Sequence, residues 1–291
     1  MPLDRRRATD ALLLVTAIVA VSTSAPLVRE AAAPALTISL WRTTLGAAAT
    51  APVVALRQRT RLDRRERRLI VAAGLVLAAH FATWVSSLSY TSVASAVTLV
   101  STQPVWAAFL SRQTVHRRVW TGIAVAMVGA VAVAGVDLSI SGRAVFGDTL
   151  ALTGGALAAL YVTIGAEVRQ SVSTAAYTTG CYGIAAIALL AAALVGGVDV
   201  VPQSAATWGW LVAITIGPQL LGHTLINAVL QRLDAVLVSV SILFEIVGAS
   251  LLAWWWFGES PPGAIYPAAA LLVVGVLLVI SGSRRLAAPL D

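Results

Sequence analysis

The chain of 291 residues is 58% hydrophobic and only 11% charged, whereas an ordinary soluble domain is roughly a quarter charged. No soluble core hides that much apolar surface, and the ten-residue alternating segments of a membrane β-barrel are absent, so helices are the only spanning option. The net charge of +7 would suit nucleic acid, but the placement of the arginines makes it a topology signal, and no nucleic-acid partner is expected.

Charges fall in short clusters. Ala11 to Val28, Leu69 to Ser111, Val119 to Val136, Ser171 to Val198 and Val200 to Gln231 contain none. A crossing needs roughly 20 apolar residues. Splitting these runs at polar or turn-forming points predicts ten spans, at 10–28, 35–56, 69–88, 92–111, 117–136, 145–167, 173–196, 206–230, 234–257 and 263–283. The connections leave no room for a soluble catalytic domain.

Span 1 follows Arg5 to Arg7 and ends in Ser22-Thr23-Ser24-Ala25, which imitates a secretory signal. Losing it would leave nine spans and break the arginine partition, so it is read as a retained helix. Ser22 and Ser24 are small polar residues suited either to a cavity or to close packing. Span 2 carries Arg42 roughly eight residues, or about 12 Å, from its outer end; it is expected to snorkel or to pair with a carboxylate in a structural role.

Polar side chains within a bilayer are costly unless they face a cavity or a partner, so they are the first site candidates. In span 3, His80, Thr83, Trp84 and Ser87 follow i, i+3, i+4, i+7 spacing and share a helix face, with Tyr90 just beyond. Span 4 gathers Thr98, Ser101, Thr102 and Gln103 before Pro104, which removes a backbone hydrogen bond and can free a carbonyl for a ligand, and Trp106 follows. Tyr161 in span 6 is a candidate aromatic wall. Cys181 in span 7 is the single cysteine and supports no disulfide.

Span 8 repeats the polar stripe with Gln219, His223 and Asn227, and span 9 places Ser241 one turn before Glu245. Glu245 is the only carboxylate in the middle of a span. It can exchange a proton, hold a substrate ammonium group, or sit protonated and bonded across to span 4. Gly129, Gly135 and Gly275 in spans 5 and 10 lack polar company and read as packing residues. Trp208, Trp210 and Trp254 to Trp256 near span ends read as an interfacial belt.

All twenty basic residues are arginine. With the N-terminus in the cytoplasm, seventeen lie inside, Arg29 and Arg143 lie outside, and Arg42 falls within a span. This positive-inside asymmetry predicts an inner-membrane protein with both termini cytoplasmic, surrounded by lipid.

Sliding the second half over the first aligns unusual residues at nearly one offset. Gly74 meets Gly217 and His80 meets His223 at 143, Gln103 meets Glu245 at 142, and Gly129 meets Gly275 at 146. Two of the three histidines are thus equivalent. The expected architecture is an all-α membrane protein of ten transmembrane helices, built as two five-helix repeats, residues 1–142 and 143–291. Because five is odd, the repeats are expected to be inverted around a central cavity, the geometry of alternating access.

Ser89-Tyr-Thr-Ser-Val-Ala-Ser-Ala-Val-Thr-Leu-Val-Ser-Thr-Gln-Pro104, Leu233-Asp-Ala-Val-Leu-Val-Ser239, Phe257-Gly258-Glu259 and Trp41-Arg42 resemble motifs of the drug/metabolite transporter superfamily, EamA type. The sequence departs from that pattern at Ala20-Val21 in place of Trp-Gly, at Ile246 in place of proline, and at Ser111-Arg112-Gln113 in place of the first Gly-Glu. The resemblance implies a cavity built from spans 1, 3, 4, 6, 8 and 9. It also implies a secondary exporter of small metabolites, amino acids foremost, including hydrophobic and aromatic ones.

Export of drugs or hydrophobic amines is the alternative within that class, and a membrane enzyme or passive scaffold the alternative outside it. An enzyme is not expected: GxxxxGK[ST], HExxH and paired carboxylates are all missing. Two histidines and one glutamate on separate helices make a poor metal set, so neither metal nor cofactor is expected. The small-residue motifs serve packing within the chain and assign no oligomeric state.

Overall fold

A computed structural model describes residues 2–57, 62–91, 93–111, 114–134, 141–202, 204–258 and 265–286. Of the motif residues named above, Ser92, Arg112, Gln113, Gly135 and Glu259 lie outside the described residues. Helices occupy each predicted segment, and no strand forms among the described residues. In chain order they are α1 (Pro2–Ser22), α2 (Ser24–Ala31), α3 (Ala35–Arg57), α4 (Arg64–Ser87), α5 (Val93–Val100), α6 (Gln103–Leu110), α7 (Arg117–Ala134), α8 (Gly142–Val168), α9 (Thr174–Val195) and α10 (Ala205–Ile214). A π-helical segment, Thr215–Thr224, leads into α11 (Leu225–Val229), followed by α12 (Ala235–Ile242), α13 (Phe244–Phe257) and α14 (Ile265–Leu286).

Six helical stretches are long and apolar enough to cross a membrane by length and composition: Ala8–Ala31, Arg64–Ser87, Gly142–Val168, Thr174–Val195, Ala205–Val229 and Ala235–Trp256. Ser95–Leu110 and Tyr266–Gly282 are apolar but shorter. Several helices begin at side-chain caps. Asp63 accepts from the Glu66 backbone N–H while Glu66 accepts from that of Asp63, and Ser141, Ser173, Ser204 and Asp234 cap α8, α9, α10 and α12. Each cap satisfies a donor the first turn leaves orphaned.

Four of the ten segments are interrupted, and proline explains three of the breaks. Pro26, Pro104 and Pro218 lack the N–H that would bond the residue four earlier and crowd its carbonyl. Segment 1 breaks at Thr23, segment 4 at Ser101-Thr102, and segment 8 widens into the π turns. Segment 9 breaks at Leu243 with no proline, at a position equivalent to Ser101 in the other half.

The principal packing partners come in reciprocal pairs. α4 packs on α8 as α1 packs on the π segment; α4 on α9 as α3 on the π segment; α5 and α6 on α8 as α12 and α13 on α1. The pairs α3 with α9, α7 with α14, and α6 with α12 join like elements of the two halves. These principal contacts keep their pattern when the halves are exchanged.

One core gathers Leu77, Phe81, Tyr161, Tyr177 and Tyr182, and a second gathers Ile123, Ala126, Val240 and Leu272. In the second, α7 and α14 approach so closely that a Cβ on Gly275 would lie 2.7 Å from the Gly122 carbonyl oxygen. Trp254 and Trp255 are exposed on α13, where a lipid-interface role requires them.

Candidate functional site

The interrupted segments converge on a cavity lined from α1 and α2 by Val21 and Ser24, from α4 by His80, Phe81 and Trp84, and from segment 4 by Val100, Ser101, Gln103 and Pro104. Ala158, Tyr161 and Val162 of α8 close one side; His223, Ile226, Ser239, Ile242, Leu243 and Glu245 of segments 8 and 9 close the other. The cavity volume is about 70 Å³, room for roughly five waters.

His80 Nδ1 lies 2.9 Å from the Gly154 carbonyl oxygen. A carbonyl only accepts, so Nδ1 carries the hydrogen and Nε2 is left as an acceptor. The imidazole lies parallel to the Trp84 indole, with centroids 6.2 Å apart, and 6.4 Å from the His223 ring. His223 also meets Phe81 edge to face at 5.2 Å. The matched histidines thus face each other across the line where the halves meet.

Of the stripe Gln219, His223, Asn227, only His223 lines the cavity. The segment passes through π turns around Pro218, which carry more residues per turn than an α-helix. Gln219 turns back toward α3, His223 enters the cavity, and the Asn227 amide donates to the Tyr161 hydroxyl at 2.6 Å. The backbone carbonyl of Asn227 accepts from Arg169 Nε at 2.9 Å, and Arg169 Nη2 donates to Thr174 at 2.7 Å. Burial at the helix end lowers the Arg169 pKa to about 10, so it stays cationic at neutral pH while knitting α8, α9 and α11.

Gln103 donates to the Ser239 hydroxyl at 3.1 Å, a direct link between the halves. The bond from segment 9 to segment 4 thus comes from Ser239. Glu245 lines the cavity and makes no hydrogen bond among the described residues.

The hydroxyls behave differently. Ser22, Thr83, Ser87, Thr102 and Ser241 each bond a carbonyl three or four residues back on their own helix, the usual refuge of a hydroxyl in apolar surroundings. None of these five lines the cavity, nor does Thr98. Ser241 opens instead on an apolar crevice beside Leu14, Val15 and Ile18. Trp106 donates to Thr102 at 3.1 Å, and Tyr90 sits exposed beyond α4, edge-on to Phe146.

Arg42 is fully buried and neither snorkels nor meets a carboxylate within ion-pair distance. Its Nε donates to Gln219 Oε1 at 2.9 Å, and its guanidinium lies 4.1 Å over the Phe81 ring. Arg42 Nη1 and Nη2 and Gln219 Nε2 have no hydrogen-bond partner among the described residues. An uncompensated buried cation costs several kcal/mol, of which the ring contact offsets about 2.

Reading polar residues finds His80, Trp84, Gln103, Tyr161, His223, Glu245 and Ser24 on the wall. It misses Phe81, Val21 and Ser239, the first two because they are apolar, the third because only a motif contained it. No group of three His, Cys, Asp or Glu side chains converges among the described residues.

Residues 9–135 and 145–281 each match the EamA-like transporter family. The chain belongs to that family. The two matches fall one in each half, so this EamA protein is a multi-pass membrane transporter with a two-repeat architecture, of the drug/metabolite transporter superfamily. A solved structure described as "Crystal structure of protein" is similar in fold, with a TM-score of 0.78 at 22% identity, covering 97% of this chain and 99% of that one. No curated protein matches the sequence.

Proposed function

We propose that this EamA protein exports small neutral or zwitterionic metabolites, amino acids foremost, from the cytoplasm across the inner membrane by alternating access. The observation that carries the reading is the cavity itself. Both halves line it, and among the described residues the wall holds two imidazoles, aromatic and aliphatic groups, one amide and one carboxylate, and no arginine. Such a lining suits a zwitterion with an apolar side chain, whereas a phosphate ester needs a clamp of several cations. The reciprocal packing supports inverted repeats over 1–142 and 143–291, and the positive-inside asymmetry supports cytoplasmic termini.

Purified protein in liposomes, offered a broad panel of radiolabelled amino acids, is expected to carry at least one neutral, apolar member by counterflow. If none moves, the reading fails. The lone carboxylate Glu245 favours hydrophobic amines as the second reading, and these belong in the same panel.

Alternating access requires the halves to part at one end of the cavity at a time. At the end bearing the N-terminus they are tied by Arg232 to Asp10 at 2.6 Å and by Arg65 to Glu167. Each pair has its arginine open to solvent and is worth about 1 kcal/mol. Removing both, by Asp10→Asn with Glu167→Gln, is expected to raise opening at that end by roughly tenfold. With Cys181 replaced by alanine and a cysteine placed at Ala158 on the cavity wall, the faster labelling should appear only with maleimide applied from the N-terminal side. Unchanged labelling would exclude these ties as a latch.

A further inference from the structure

We infer that Arg42 and Gln219 form an anion-binding pole of the transport site and receive the carboxylate of a zwitterionic substrate. The inference rests on the proposed transport of amino acids and names the groups that would read their acid end.

The donors on these two residues outnumber their acceptors. Arg42 spends one N–H on Gln219 Oε1, 2.9 Å away. That bond fixes the amide, because an oxygen facing a guanidinium leaves its nitrogen pointing elsewhere. What remains is Arg42 Nη1, Arg42 Nη2 and Gln219 Nε2, all buried and without a hydrogen-bond partner among the described residues. A planar cationic fork beside a further N–H donor is the chemistry of carboxylate recognition.

The place is also right. Phe81 is covered by the Arg42 guanidinium at 4.1 Å and lines the cavity, where its ring meets His223. The Phe81 ring therefore lies between the Arg42 guanidinium and the cavity. With room for only roughly five waters, the cavity must enlarge to admit a solute, and rotation of Phe81 both enlarges it and uncovers the fork. Glu245 lies on the cavity wall as the matching partner for an ammonium group. A free inorganic anion would satisfy the same donors, so the test must separate it from a substrate carboxylate.

The experiment uses the full chain in liposomes and one neutral amino acid that the wild type carries, compared with its carboxamide and with the decarboxylated amine of the same side chain. Wild type is expected to move both analogues at least about tenfold more slowly than the acid. Arg42→Gln and Gln219→Leu should slow the acid to the level of the analogues without slowing the analogues further, and Arg42→Lys should fall between. Equal wild-type rates for acid, amide and amine overturn the inference, and that comparison stands even if the variants do not fold. Transport that requires chloride, tested against a bulky sulfonate, while ignoring the carboxylate would assign the donors to a free halide and overturn it too. If neither acids nor amines move, the export reading falls first and takes this one with it.

Discussion

Replacing Glu245 with glutamine is expected to slow transport of a zwitterionic amino acid by about 10- to 100-fold, since a hydrogen bond to a charged group is worth about 1.5–3 kcal/mol. Among the described residues Glu245 is the one carboxylate on the cavity wall and makes no hydrogen bond, so its capacity is available to a solute. Glutamine keeps the shape and removes the charge. Its repeat partner offers a control, because Gln103 bonds only the Ser239 hydroxyl, which can rotate to donate to a carboxylate instead. Combining Gln103→Glu with Glu245→Gln returns one carboxylate to the same cavity from the other half. Partial recovery of initial rates in liposomes would show that charge in the cavity matters more than its exact perch. If Glu245→Gln melts and transports like wild type, the residue packs and nothing more.

The helices were legible because hydropathy and bilayer thickness leave little choice, and apart from the first, whose helix starts at Pro2, each segment falls within a few residues of its expected bounds. The break in segment 4 was legible through Pro104. The break in segment 9 was not, since Ile246 occupies the expected proline position and the interruption at Leu243 carries no local signature. Close packing accompanies it: a Cβ on Gly248 would lie 2.2 Å from the Ser22 hydroxyl oxygen, so α13 meets the end of α1 with no clearance. The histidine pair was readable from the repeat alone, because symmetry survives changes of register. Several hydroxyls bond carbonyls of their own helices and stay off the cavity wall, which polarity in a sequence does not distinguish. Gln219 and Asn227 give their amides to Arg42 and Tyr161 instead of the cavity wall, partners that spacing along one helix does not reveal.

Gly155→Ala tests the joint on which the cavity depends. Pro104 leaves the Val100 carbonyl without its helical donor, and α8 crosses that carbonyl at Gly155. A Cβ there would sit 2.7 Å from Val100 O and 3.1 Å from both Leu99 O and Thr102 Oγ1. Two of these atoms belong to the backbone and cannot rotate away, so α8 must lift from segment 4. Overpacking of this kind costs about 1–3 kcal/mol. The displacement would be carried into Ala158, Tyr161 and Val162, one to two turns along on the cavity wall. Transport is therefore expected to fall by more than stability alone accounts for, with a lower melting temperature in detergent. Alanine also favours the helix by about 1 kcal/mol over glycine, which works against the effect and needs its own control. Gly183→Ala supplies it: nothing lies within 4 Å of a Cβ at that position, so the variant should melt at or above the wild-type temperature and transport normally. Should Gly155→Ala match Gly183→Ala in both measurements, the contact between α8 and the freed carbonyl has slack, and the cavity does not depend on it.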